Sequence, residues 1–352
     1  MAAGKGVAGG QRRRPPAIEI DGVVLLDKPE GLSSNAALQR ARRCFSAAKA
    51  GHTGTLDPMA TGLLPVCLGD ATKFSQGLLD ADKAYLATAL LGIATDTGDR
   101  EGQVVAERPV DATLAQVQAA LASLTGPLDQ VPPMYSALKH QGQPLYAIAR
   151  AGGDVVRAAR SVRIHRLELL EWDSPRLTFQ VSCSKGTYVR TLAEQIAERL
   201  GTVAHLVALR RTAVGPFSLE AAVTLADLEA AAPERRAGYL HPADALVQAL
   251  PMLVLGTERA LGVLQGRTLD PCPGESDQPA GTLVRLYGPG DLPGVRTPTV
   301  PGVCGAAFLG LGVLEAGERG ALRLRPVRLI AHAAPPSASK NASFVTPSGE
   351  TT

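Results

Sequence analysis

Between Leu177 and Gly201 the hydrophobic period changes from that of a strand to that of a helix across a single turn. Leu177, Phe179, Val181 and Cys183 alternate with polar neighbours, which predicts a half-buried strand. Lys185-Gly186-Thr187 turns the chain. Val189, Leu192, Ile196 and Leu200 then recur at helical spacing, and Gly201 is placed to end the helix. A strand feeding directly into an amphipathic helix constrains the chain strongly, because the two apolar faces must share one core. All-helical and all-strand domains are thereby disfavoured for this region.

The rest of the chain up to about residue 250 repeats the mixture. Val23 to Leu26 is an apolar run of strand length, ended by Asp27-Lys28-Pro29. Ser33-Ser34-Asn35 offers capping oxygens to a helix that carries Leu38, Ala41 and Phe45 on one face. Tyr85 to Ile93 reads as a strand. Leu114, Val117, Leu121 and Leu124 predict a helix that Gly126-Pro127 should stop. After about Pro251, short apolar runs alternate with Gly and Pro: Leu283 to Leu286, Cys304 to Leu311, Leu322 to Ile330. That texture predicts a small β-rich module. With 352 residues and about 100–200 per domain, an α+β domain followed by a β-rich one accounts for the length.

Net charge says little about partners. It is +3, and residues 1–20 account for all of it: four of the 36 Lys and Arg (Lys5, Arg12, Arg13, Arg14) lie there against one of the 33 Asp and Glu (Glu19). The remainder is balanced at 32 of each sign, so any anion-binding surface must come from charge placement. Residues 1–20 are expected to be a disordered basic arm. They lack the apolar stretch of a secretory signal, and they suit a transit peptide poorly because they have no amphipathic pattern and no serine. Residues 334–352 are expected to be a disordered Ser/Thr/Pro-rich tail. No run approaches the ~18 apolar residues of a membrane span. Cys44, Cys67, Cys183, Cys272 and Cys304 form no CxxC pair, which favours reduced thiols in a cytoplasmic protein over a zinc site or a disulfide framework.

Two segments carry candidate chemistry. Gly51-His52-Thr53-Gly54-Thr55-Leu56-Asp57-Pro58-Met59-Ala60-Thr61-Gly62 packs three glycines, a proline, an imidazole and one carboxylate into twelve residues. Such a backbone can approach a ligand closely, although the residues alone fit equally an ordinary turn in which Asp57 caps a helix. Ser184-Lys185-Gly186-Thr187-Tyr188-Val189-Arg190 places an arginine in the first turn of a helix. There it opposes the helix dipole and calls for an anionic partner, unless it is simply an exposed surface residue. Thr95-Asp96-Thr97-Gly98 resembles an aspartic-protease triplet but has no second copy. Ser184-Lys185-Gly186-Thr187 lacks the order of a phosphate loop.

Taken in order, Leu25-Leu26-Asp27-Lys28-Pro29, Gly51 to Pro58, Asp82-Lys83-Ala84-Tyr85 and Ser184 to Arg190 resemble the bacterial TruB family, the tRNA pseudouridine-55 synthases. Pro132-Pro133-Met134-Tyr135-Ser136-Ala137 and Leu209-Arg210-Arg211 extend the resemblance. It is close over residues 21–250 and loose beyond. The resemblance implies a catalytic core at 21–250 with a mixed sheet, an RNA-binding insertion near 133–160, and a PUA-like domain at 251–333. By position it makes Asp57 the catalytic aspartate, Tyr85 the tyrosine that stacks on the target base, and Arg190 the partner of the aspartate. His52, Tyr188 and Leu209 fall at positions that contact the substrate nucleotide. The reaction needs no cofactor and no metal. The implied partner is tRNA, through its T stem-loop, with no membrane, no obligatory protein partner and no guide RNA; the chain is expected to act as a monomer in the cytoplasm. Guide-dependent relatives with a similar core, and a tRNA-folding factor, are the competing readings. The Gly- and Pro-rich stretch 277–300 departs from the family pattern.

Overall fold

The computed structural model describes residues 18–270, 278–292, 306–317 and 321–330. The 334–352 tail, all but the last three residues of the expected basic arm, and residues 277 and 293–300 of the Gly- and Pro-rich stretch lie outside these. The chain divides into two units, Met1–Val247 and Gln248–Thr352.

The first unit is built on one mixed sheet. Its main strands are β1 (Gly22–Lys28), β2 (Thr61–Leu68), β3 (Lys83–Leu91), β4 (Gly126–Gln130), β5 (Arg160–Asp173), β6 (Arg176–Cys183) and β7 (Ala204–Val214). They pair in the order β1-β2-β7-β3-β6-β5-β4. Within that order β2 and β7 run parallel and every other pairing is antiparallel. Three helices pack on it: α1 (Ser34–Cys44), α2 (Leu114–Ser123) and α3 (Val189–Arg199). Ala87 of β3 with Leu177, Phe179 and Val181 of β6 forms one core with Val117 and Leu121 of α2 and Leu192 and Ile196 of α3. Burying each of the larger of these side chains stabilises by about 1.5–3 kcal/mol. Val24, Leu26, Leu64 and Val66 form a second core with Ala37, Leu38 and Ala41 of α1.

The expected α+β architecture holds, and the strand–turn–helix passage is found as β6 and α3, closed at Gly201 with φ +73°. The expected Tyr85–Ile93 strand is broken at Gly92, whose φ of +91° ends β3 at Leu91 and lets Ile93–Thr95 pair elsewhere. On α2 the core face is Val117, Ala120 and Leu121, whereas Leu114 is half exposed at the first turn. Gly126-Pro127 does more than stop that helix, since it opens β4 at the edge of the sheet. An edge strand tolerates a proline because a missing N–H costs no ladder bond on its open side. The region of the expected insertion holds the strand pair Lys139–His140 and Gln143–Pro144 and a short helix, Leu145–Arg150.

The second unit is β-rich. Met252–Val254, Leu283–Pro289, Ala306–Ala316 and Leu322–Leu329 pair side by side in that order. Thr257–Leu264 adds a helix that strand patterning alone did not predict, and its Ala260 and Val263 pack with Val284, Leu286 and Leu324. Among the described residues no helix is long and apolar enough to cross a membrane.

Candidate active site

The Gly51–Gly62 segment does not cap a helix. It leaves the short strand Ala50–His52, crosses Asp57 as loop, and enters β2 at Thr61. Three anchors hold it. Ser34 Oγ at the start of α1 accepts from Leu56 N–H at 2.7 Å and lies 2.9 Å from Leu56 O, to which it donates. Ser33 next to it does what the capping pattern required, accepting from Ala36 N–H. Lys28, fully buried at the end of β1, donates to Pro29 O (2.9 Å), Leu32 O (2.7 Å) and Pro58 O (3.3 Å). Arg211 of β7, also buried, donates to Gly54 O at 3.2 Å and Leu63 O at 2.7 Å. Burial brings the Lys28 ammonium down to about 8, against the pull of the Asp57 charge.

Arg190 is the second residue of α3 and only 5% exposed, so it is not a surface residue. Its Nε lies 3.1 Å from Asp57 Oδ2. Nη1 donates to Thr97 O and Nη2 to Tyr135 O, each at 2.6 Å, and Asp99 Oδ2 stands 3.8 Å from Nη1. The planar two-point contact that favours Arg against a carboxylate is therefore absent. The two outer nitrogens are committed to backbone carbonyls, and a single nitrogen meets Asp57. The Thr97 segment, set aside above as a decoy, is thus part of the site: Asp99 accepts from Thr97 Oγ1 at 2.6 Å and from Glu101 N–H at 3.0 Å.

Burial raises the Asp57 carboxyl above its ordinary range. Arg190 opposes the rise, Asp99 adds to it, and Lys28 opposes it. The side chain is still one-third exposed, so a ligand can reach it. A group that acts as a carboxylate is lost as pH falls through its folded-state pKa, and here that pKa is raised. Any reaction that uses this carboxylate in its charged form is therefore expected to slow on acidification well before the ordinary aspartate value of about 4. Arg190→Gln should move that limb to still higher pH. Single-turnover rates across pH check this, and a rate that stays flat down to about pH 4 would contradict it.

Of the other expected residues, Tyr85 and Tyr188 lie within electrostatic reach of Asp57. Tyr85 of β3 is 8% exposed and shares a core cluster with Leu56, Met59 and Leu209. Burial raises its phenol, and the facing Arg211 guanidinium opposes the rise. His52 Nδ1 is buried without a hydrogen-bond partner, and burial together with Arg211 lowers its pKa, which keeps the ring neutral at neutral pH. Tyr188 precedes α3. Its backbone is gripped by Gln130 of β4: the Gln130 amide oxygen accepts from Tyr188 N–H at 2.9 Å, and its nitrogen donates to Tyr188 O at 3.3 Å. Burial raises the Tyr188 phenol. Sequence reasoning missed Lys28, Ser34, Gln130 and Arg211 as members of this site. Lys28 and Arg211 stood in plain view inside matched motifs; Gln130 carried no signal at all.

A mixed sheet holding one loop carboxylate against a buried arginine, with a tyrosine on β3, defines the class as the pseudouridine-synthase fold. The N-terminal domain of the TruB family of pseudouridylate synthases matches residues 42–189, and the C-terminal domain of tRNA pseudouridylate synthase B matches 190–261. A tRNA pseudouridine synthase B of Aromatoleum aromaticum is 60% identical over 272 residues, covering 77% of this chain and 86% of that one. One of Ralstonia nicotianae is 51% identical over 324 residues, 91% of this chain and 97% of that one. Among solved structures, a chain of a Cbf5-Nop10-Gar1 complex is similar with a TM-score of 0.64 and 26% identity, over 88% of this chain and 85% of that one. The chain belongs to the TruB family of pseudouridylate synthases.

Proposed function

We propose that the protein isomerises uridine 55 in the T-loop of tRNA to pseudouridine, with Asp57 as the catalytic carboxylate. The observation that carries this reading is the Asp57–Arg190 contact at 3.1 Å, on a loop that three separate anchors hold in place. The reaction breaks a C–N glycosidic bond, turns the base and forms a C–C bond. A base stacked in an RNA stem-loop is out of reach of a loop carboxylate, so the nucleotide is flipped into the cleft. Tyr85 gives the extruded uracil a ring to stack on, which for aromatic platforms is worth roughly 1–3 kcal/mol per base. His52, Tyr188 and Leu209 contact the nucleotide. Asp57 is ionised and begins the cleavage, and Arg190 favours the charged form and fixes its direction.

The remaining assignments follow from the same reading. Residues 21–250 form the catalytic domain, with an RNA-binding insertion near 133–160. Residues 251–333 form a PUA-like module that grips RNA through its backbone. The enzyme works in the cytoplasm as a monomer, without cofactor, guide RNA or protein partner. Relatives with 51–60% identity that are named for tRNA support this choice over guide-dependent action. The test is to incubate the pure protein with an unmodified tRNA transcript and map pseudouridine by position. Modification at uridine 55 alone, without added RNA or protein, is the expected result. Modification elsewhere, or only when a guide RNA is added, would overturn it.

A further inference from the structure

Helix α3 begins where its own sequence secures it poorly. The residue ahead of a helix is commonly Ser, Thr, Asp or Asn, whose side chain accepts from the first turn. Tyr188 holds that place and makes no such hydrogen bond. The first turn carries no acidic residue, and Arg190 within it opposes the helix dipole. Yet this helix start carries two groups that act on Asp57: the Arg190 guanidinium at 3.1 Å and the Tyr188 phenol within electrostatic reach. Any shift of the helix start displaces both.

A residue 58 positions earlier supplies what Tyr188 lacks. Gln130 is the last residue of β4 and 2% exposed. Its amide oxygen accepts from Tyr188 N–H at 2.9 Å, and its nitrogen donates to Tyr188 O at 3.3 Å. That carbonyl also accepts from Leu192 N–H at 3.0 Å, which opens the helical ladder. The same Gln130 nitrogen donates to Gln195 Oε1 at 3.1 Å farther along α3, and Gln195 Nε2 donates back to Asp129 O at 3.0 Å. A backbone N–H only donates and a carbonyl only accepts, so the side chain here must offer an acceptor and a donor together. A carboxylate lacks the donor, an aliphatic chain lacks both, and Asn is one methylene short. Shortly after Gln130, Tyr135 O accepts from Arg190 Nη2 at 2.6 Å. The chain leaving β4 therefore grips the start of α3 twice, at the Tyr188 backbone and at the Arg190 guanidinium.

We propose that Gln130 is a positioning residue for the reaction: by clamping both backbone groups of Tyr188 it fixes where α3 begins and so holds the Arg190 guanidinium on Asp57. It touches no reacting atom. The inference rests on the proposed isomerisation for its effect on rate, but not for its effect on Asp57. An apolar side chain in place of Gln130 leaves Tyr188 N–H and Gln195 without that partner, and an unmade hydrogen bond at a buried position is costly. The helix start relaxes and Arg190 moves off the carboxylate. Arg190 is the largest influence opposing the burial of the Asp57 charge; Lys28 assists it and Asp99 works against it. When Arg190 retreats, the carboxyl therefore titrates at higher pH.

The test compares the wild type with Gln130→Met, which keeps the length but neither hydrogen bond, and Gln130→Asn, which keeps the amide but falls short of Tyr188. The Asp57 carboxyl is titrated by carboxyl-carbon NMR without RNA, its signal being the one missing from Asp57→Asn. Both variants should move that titration up by about half a pH unit or more. Tyr188 N–H should exchange with solvent at least about tenfold faster. Single-turnover isomerisation with enzyme in excess should slow about tenfold or more at neutral pH, while tRNA affinity stays within a few-fold. An unmoved Asp57 titration in the folded variants would overturn the proposal whatever the rate does, since a merely structural clamp lowers Tm alone. A moved titration with wild-type turnover would overturn it too. If Gln130→Met does not fold, Gln130→Asn decides by the same readings; failure of both to fold would make Gln130 structural and overturn the proposal. A moved titration in a protein whose wild type forms no pseudouridine would uphold the Gln130–Arg190–Asp57 coupling and overturn the functional reading instead.

Discussion

Asp57→Asn is expected to reduce isomerisation by a factor on the order of 10⁴ or more, while tRNA binding stays within a few-fold. The substitution is nearly isosteric and removes the charge that the proposed chemistry requires. Affinity is expected to come mostly from phosphate contacts. Loss of activity through unfolding can be separated by its sign. The folded-state pKa of Asp57 is raised, so the fold favours the neutral form. Such a group contributes stability below its unfolded pKa and loses it as pH rises through the folded value. At neutral pH the charged Asp57 is a net cost, which a neutral Asn removes. Arg190 keeps the carbonyls of Thr97 and Tyr135 in the variant, with Asp99 nearby. The variant should therefore melt no lower than the wild type at neutral pH. Pseudouridine formation at even a few per cent of the wild-type rate would remove Asp57 from the essential role.

What was legible in the sequence, and what was not, divides along a physical line. The strand–turn–helix that carries Arg190 was legible because its hydrophobic periods are local and unbroken. The exposure of Leu114 was not, since a position in the first helical turn can satisfy the period and still overhang the core edge. The need of Arg190 for an anionic partner was readable from its place near a helix N-terminus. Its actual coordination was not, because the acceptors on its outer nitrogens are the backbone carbonyls of Thr97 and Tyr135, and a carbonyl leaves no mark in the residue identity. The same holds for Lys28 and Arg211, whose partners are also carbonyls. Gln130 was hidden for another reason. It reaches Tyr188 and Gln195 only because β4 adds to the far edge of the sheet after a long detour in sequence.

Arg190→Lys is expected to slow isomerisation about 10²- to 10³-fold even though the charge is kept. The guanidinium acts in three directions at once: Nε toward Asp57, Nη1 toward Thr97 O and Nη2 toward Tyr135 O. These acceptors belong to three different segments, so the side chain fixes their mutual positions. A lysine ends in one nitrogen with tetrahedral donors and cannot span the same plane. It will satisfy Asp57 or the carbonyls and leave the others buried without a donor. A displacement of the carboxylate by about 1 Å is enough to cost on the order of 10²-fold in rate. The defect should lie in the chemical step and not in binding, so it is read in single turnover with enzyme in excess. Because Arg190 acts through Asp57, the double variant Asp57→Asn, Arg190→Lys should be no slower than Asp57→Asn alone. Near-normal turnover of Arg190→Lys would show that charge alone suffices and that the three-way coordination is structural. A double variant slower than Asp57→Asn by the full Arg190 factor would show that the arginine acts on the substrate independently of the aspartate.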